Sequence, residues 1–124
     1  MIILIPILAA CSQAADTSAI YTTVSKASLK PGDAIPAPSG DVVLTVDGMI
    51  GQKNSGDAAQ FDMPTLESLG LVSYDVNDPF AKKVIVYSGV LLSQLLEIVD
   101  ADPAATTLTL KALDDYSDSY SGSL

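Results

Sequence analysis

The sequence predicts an α+β domain, a mixed sheet with two short helices, and three observations carry that class. Val42 to Val46 alternates apolar and polar residues and ends in Asp47-Gly48, the pattern of a half-buried strand entering a turn. Leu91, Leu92, Leu95, Leu96 and Val99 fall at i, i+1, i+4, i+5 and i+8, the stripe of an amphipathic helix. Between and around them the order runs strand, short helix, strand, strand, helix, strand, with no internal repeat.

Each element has its own local reason. Lys53 to Asp57, with Asn54 and Gly56, is a polar loop. Phe61 to Glu67 opens a helix: Asp62 caps it, Pro64 suits the first turn, and Phe61 is spaced to staple onto Leu66. Gly70 ends that helix. Leu71 to Val76 reads as a strand, Asn77-Asp78-Pro79 as a loop, and Lys83 to Tyr87 as a β-branched strand. Ser88 and Gly89 are expected to make the turn and cap a helix over residues 90–99. Thr107 to Leu113 alternates again, with Leu108, Leu110 and Ala112 on one face, before a Ser/Asp/Tyr/Gly-rich end. Residues 118–124 are expected to be a solvated, low-complexity terminus.

Composition narrows the chemistry. The 124 residues include six Lys and fifteen acids, with neither Arg nor His, for a net charge of −9. Six scattered lysines make no basic surface for a phosphate backbone, so nucleic acid is not an expected partner. Without His, and with a single Cys, neither a Ser-His nor a Cys-His nucleophile pair exists, nor a thiolate metal cluster. Asp75, Asn77 and Asp78 lie close in sequence, but their spacing is not that of an EF-hand, and turn formation explains them. No metal site is expected.

The amino terminus points to the cell envelope. Met1 to Ala10 is almost wholly apolar, and its end together with the next residue, Leu8-Ala9-Ala10-Cys11, resembles the lipobox of bacterial lipoprotein signal peptides. The resemblance implies lipidation of Cys11, a membrane anchor as partner, and a periplasmic or otherwise extracytoplasmic location. No Lys precedes Lys26 and Pro6 interrupts the run, so a plain secretory signal cut near Ala14 or Ala15, or a buried first element, are the other readings. The apolar run is shorter than the ~20 residues that span a bilayer. The expected organisation is a signal and lipobox over 1–11, a tether rich in Ala, Ser, Thr and Pro over 12–40, a domain over 41–117 and the terminus.

The domain has a family resemblance. Val42-Val43-Leu44-Thr45-Val46-Asp47-Gly48 resembles the opening strand of the molybdopterin-binding domain of sulfite-oxidase-type oxidoreductases, and Phe61-Asp62 through Leu69 resembles its next helix. Val86-Tyr87-Ser88-Gly89-Val90-Leu91-Leu92-Ser93-Gln94-Leu95-Leu96 is similar to its strand-turn-helix, and Thr107 to Tyr116 to the strand after that. The resemblance implies an oxidoreductase fold, a molybdopterin cofactor, a metal-binding Cys in the loop after the second strand, and Arg and His holding pterin and phosphate. That loop corresponds to Ser73-Tyr74-Asp75-Val76-Asn77-Asp78, which holds no Cys, and Phe80 stands where the family motif has Trp. Carboxylates do not replace a soft sulfur ligand, and a −9 chain repels an anionic pterin phosphate or an anionic substrate. Family members also continue past the last matched strand, so the fold is expected to be truncated at its carboxyl end.

The expectation is therefore an extracytoplasmic, non-catalytic relative of these enzymes that binds a small ligand or a protein partner, with no cofactor and no catalytic residue. Tyr74, Asp75, Asn77 and Ser88 are the candidate binding residues. The alternatives are an oxidoreductase that keeps molybdopterin, and a structural surface lipoprotein.

Overall fold

The computed structural model describes residues 20–122. Its architecture is α+β, with seven strands and two short helices in the order β1 (Thr22–Ser25), β2 (Val42–Val46), β3 (Ala59–Asp62), α1 (Met63–Glu67), β4 (Leu71–Asp78), β5 (Lys83–Gly89), α2 (Leu92–Ile98), β6 (Thr107–Lys111) and β7 (Ser117–Ser121).

The expected single mixed sheet is instead three small sheets, ordered β1-β4-β5, β2-β3 and β6-β7, and every described pairing is antiparallel. The reason is local. Parallel pairing needs a crossover that returns to the same sheet. The chain leaving α2 enters β6, which finds its partner in β7 a few residues on.

The core lies where β2, β3, α1 and α2 meet. Ile35, Ala59, Phe61, Leu69, Ile98 and Val99 are its buried apolar residues, with Leu44, Val46, Leu66 and Leu95 packed against them. Strand alternation turns Leu44 and Val46 inward and Val43 outward, and the register shift between Val42 and Leu44 leaves Val42 exposed as well. In α2 the inward side holds Leu95, Ile98 and Val99, while Leu92 points outward.

Helix α1 follows its sequence signals closely. Asp62 is its N-cap, accepting from the Thr65 amide at 3.0 Å, and Phe61 and Leu66 occupy the staple positions within the core. Gly70, at φ +93°, turns the chain into β4, and a Cβ there would meet the Ala27 amide nitrogen at 3.0 Å.

Three expected boundaries move. The stretch 12–40 is no free tether in its described part. Thr22–Ser25 pairs with β4, the amides of Ser28 and Leu29 both donate to the Ser68 carbonyl, and Ile35 is buried in the core. Pairing with Leu71–Ser73 decides this strand, and nothing in its own polar residues announces it. Residues 118–124 are likewise not a free terminus as far as they are described. Ser117–Ser121 forms β7 on β6, fully exposed, and an exposed ion pair, Lys111 to Asp115 at 3.0 Å, sits at the hairpin turn. Finally, Ala59–Asp62, expected to lead into a helix, is a strand. The Asn54 side chain acts as an extra strand for it, its amide donating to the Gln60 carbonyl at 2.8 Å and its carbonyl accepting from the Gln60 amide at 2.7 Å.

Candidate functional site

The candidate residues all fall on the β4-β5 hairpin, which is longer than the sequence pattern suggests. Asn77 and Asp78 belong to β4, and Ser88 and Gly89 to β5. The loop expected at residues 77–79 is a turn over Pro79–Lys82. Asp78 shapes it by accepting from the amides of Phe80 and Ala81, both at 2.8 Å, and Lys82 takes a left-handed φ of 51°.

Register then sorts the candidates. Tyr74 stands opposite Tyr87, Ser73 opposite Ser88, Asp75 opposite Val86 and Asn77 opposite Val84. Because side chains alternate, Tyr74 projects from one face and Asp75, Asn77 and Ser88 from the other. The four do not form one site. Nor does Ser88 cap the following helix: α2 begins at Leu92 with Leu91 at its N-cap, and no side chain bonds to that cap. Ser88 is held in the ladder instead, where it cannot reach the helix amides.

The Tyr74 face is the distinctive one. The rings of Tyr74 and Tyr87 stack with centroids 5.9 Å apart and planes 29° from parallel, and each residue is 47 % exposed. Beside them on the same face stand Val76 and Ile85, directly paired, and then Val72 opposite Gly89. Sequence reasoning had both tyrosines as strand residues. The cross-strand partnership that makes them a platform is a matter of register, which neither segment encodes alone.

Asp62 is the most strongly engaged carboxylate. It is 2 % exposed, and while Oδ1 caps α1, Oδ2 accepts from the Ser39 amide at 2.9 Å, the Ser39 hydroxyl at 3.2 Å and the Gly40 amide at 3.2 Å. The bonds from Thr65, and then those from Ser39 and Gly40, hold its carboxyl well below the usual carboxylate range. With four donors of this chain on its two oxygens, its role is to tie the 39–40 segment to β3 and α1.

Two open depressions complete the surface. One, of about 340 Å³, lies between Gly48–Gly51 and Asp100–Pro103. The other, of about 240 Å³, lies beside the sheet between Tyr21, Thr23 and Lys26 on one side and Val72, Leu91 and Gln94 on the other. Among the described residues, no three His, Cys, Asp or Glu side chains come together as a metal-binding group.

The family-implied cofactor can be tested against the donors. The positions matching the metal-binding loop carry phenol, carboxylate and amide oxygens, split between two faces of a regular strand. These are hard donors and do not fit a soft thiolate-bound redox metal. The chain's one Cys, Cys11, lies outside the described residues, and so does the lipidation expected of it. No described helix is long and apolar enough to cross a membrane. Compared with known protein families and with curated proteins, the chain matches no family model and no curated protein.

Proposed function

We propose that this chain is an extracytoplasmic, Cys11-anchored binding protein, built on the plan of a sulfite-oxidase-type molybdopterin domain, whose working surface is the tyrosine face of the β4-β5 hairpin. The observation that carries the reading is the stacked, half-exposed Tyr74–Tyr87 pair, 5.9 Å between centroids, on a strand face that continues into the partly buried Val76 and Ile85. In the family that the sequence resembles, the stretch matching residues 73–78 supplies the metal ligand; here it supplies one aromatic ring, Tyr74, which pairs with Tyr87 of β5, and no sulfur. The reaction is gone, and a surface suited to planar or apolar groups takes its place. A ring laid on such a platform gains stacking of about 0.5–1.5 kcal/mol beyond the area it covers.

The chain has no Trp and five Tyr, two of them in the platform, so the part of tyrosine quenching that depends on Tyr87 reports on the platform. Titration with a free pterin and, separately, with a neutral nucleoside should quench that emission, and Tyr87→Ala should abolish the saturable part. Metal analysis of the purified protein separates the competing enzyme reading: stoichiometric molybdenum with a released pterin would overturn the proposal. Absence of saturable quenching with either ring would also sink it.

A further inference from the structure

We propose that the free edge of β5 is the surface through which two copies of this chain associate, strand against strand. β5 is the outer strand of the β1-β4-β5 sheet, and β4 is its one strand neighbour among the described residues. Their register is unbroken from Val72↔Gly89 to Asp78↔Lys83. The edge is therefore seven residues long and straight. It has no Pro, and its one charge, Lys83, stands at the very start. Val84, Val86 and Tyr87 along it are exposed. Soluble proteins protect such edges with bulges, short strands, prolines or mid-strand charges, and β5 has none of these. The opposite edge of the same sheet shows the contrast: β1 is four residues of Thr, Val and Ser, and its register slips between Thr23 and Ser25.

A second copy is the occupant that the strand itself specifies. Val86 sits at the centre of β5, so an antiparallel two-fold there pairs Val86 with itself and uses all seven residues. Ile85 then faces Tyr87 of the second copy, and Val84 faces its Ser88. On the tyrosine face, the Tyr74–Tyr87 pair runs on into Ile85 and Val76 of the second copy, and the reverse holds across the axis. The apolar band thus doubles without a break. Charge is no obstacle, although each copy carries −9. Asp75 is opposite Val86, so the two Asp75 stand three strand spacings apart, about 14 Å, beyond the screening length at physiological salt. The assembly also closes. The two-fold consumes both β5 edges and leaves outside the short, bulged β1 edges and, beyond them, the 74–78 stretch of β4, which carries Asp75 and Asp78, so charge and bulge stop the pairing at six strands.

The test is a self-crosslink in the full chain carrying Cys11→Ala, which leaves the introduced thiol alone. Only a residue on the two-fold meets its own copy within disulfide reach, a Cα separation of about 4.4–6.8 Å. Val86→Cys is on the axis. Val84→Cys is not, since four residues along the strand, about 13 Å, separate the two copies of that position. Both positions are exposed, at 62 % and 56 %, so both variants keep the fold, which circular dichroism verifies. Oxidation should give a covalent dimer from Val86→Cys and little from Val84→Cys. In sedimentation velocity, Val86→Lys should shift the concentration-dependent dimer to monomer. Equal crosslinking of both variants, preferential crosslinking of Val84→Cys, or none from Val86→Cys would overturn the proposal. The outcome does not depend on whether the tyrosine face binds a ring, because no ligand is added.

Discussion

The two phenylalanines offer the sharpest test of the fold, because they occupy opposite extremes. Phe61 is 0 % exposed in the middle of β3, and Phe80 is 95 % exposed in the β4-β5 turn. Among the described residues, Phe61 packs in a core with five other buried apolar residues, Ile35, Ala59, Leu69, Ile98 and Val99. Truncating a buried Phe to Ala costs about 3–5 kcal/mol through lost transfer energy and the cavity left behind. A domain of about a hundred residues holds roughly 5–15 kcal/mol, and so small a core places this one at the low end. Phe61→Ala should therefore leave a protein that is at best marginally folded. Phe61→Leu, which keeps most of the volume, should cost about 1–2 kcal/mol and remain measurable. Phe80→Ala should stay within about 0.5 kcal/mol of the parent. Urea unfolding followed by circular dichroism decides between them. With a slope near 1 kcal/mol/M, the Leu variant should lose about 1–2 M in midpoint. If Phe80→Ala moved the midpoint as far as Phe61→Leu, the placement of the core and of the hairpin turn would both be wrong.

Other outcomes follow from single contacts. Asp62 has a folded-state carboxyl held below its ordinary value of 3.8, so its contribution is present above about pH 4 and is lost as the pH falls further. The melting temperatures of the parent and Asp62→Asn should accordingly converge between pH 6 and pH 3, and a gap that widens on acidification would contradict the bonding described. Gly70→Ala forces a Cβ onto a φ of +93° and against the Ala27 backbone, so it should destabilise by at least about 1 kcal/mol in the same urea assay. Asn54→Ala strips the Gln60 amide and carbonyl of their side-chain partner and should cost about 1–3 kcal/mol, visible as faster hydrogen exchange at the Gln60 amide. Incorporation of a palmitate analogue should depend on Cys11; labelling that survives Cys11→Ala would refute the anchor.

What was legible in the sequence was what its neighbours along the chain determine. The cap at Asp62, the staple from Phe61 to Leu66 and the turn at Gly70 are all local, and the structure has them in place. The α2 stripe was also readable, although Leu92 points outward and the inward side runs through Ile98. The strands that escaped notice are those with weak patterns of their own. Thr22–Ser25 and Ser117–Ser121 are mostly polar, with Val24 and Tyr120 alone among hydroxyls and one carboxylate, and exist by virtue of their partners. Ala59–Asp62 becomes a strand because β2 flanks it on one side and Asn54 on the other. The candidate site divided along the same line. A strand over Leu71 to Val76 already places Tyr74 and Asp75 on opposite faces and leaves only Asn77, read as loop, without a face. Extending β4 through Asn77 and Asp78 continues the alternation and puts Asn77 with Asp75 on the face that Tyr74 does not share.

The distribution of apolar surface explains why the hairpin, rather than the core or either depression, is where a partner belongs. A two-stranded ribbon alone is marginal in water, and three strands become stable when one face is covered. β4 and β5 have β1 as a third strand only along Leu71–Ser73, and the tyrosine half of the hairpin projects beyond it. There Tyr74, Val84, Val86 and Tyr87 are all close to half exposed or more, whereas the Asp62 network and the six buried residues of the core have their partners within the chain. Whatever covers the hairpin removes apolar surface from water that folding alone leaves wet, at roughly 25 cal/mol per Å². It also binds the folded chain and not the unfolded one, so occupancy adds directly to stability. A ring would cover the Tyr74–Tyr87 face, whereas a second copy would take the edge of β5, whose exposed Val84 and Val86 lie on the face opposite the tyrosines. They are compatible because backbone groups directed sideways and side chains directed upward do not compete for the same space.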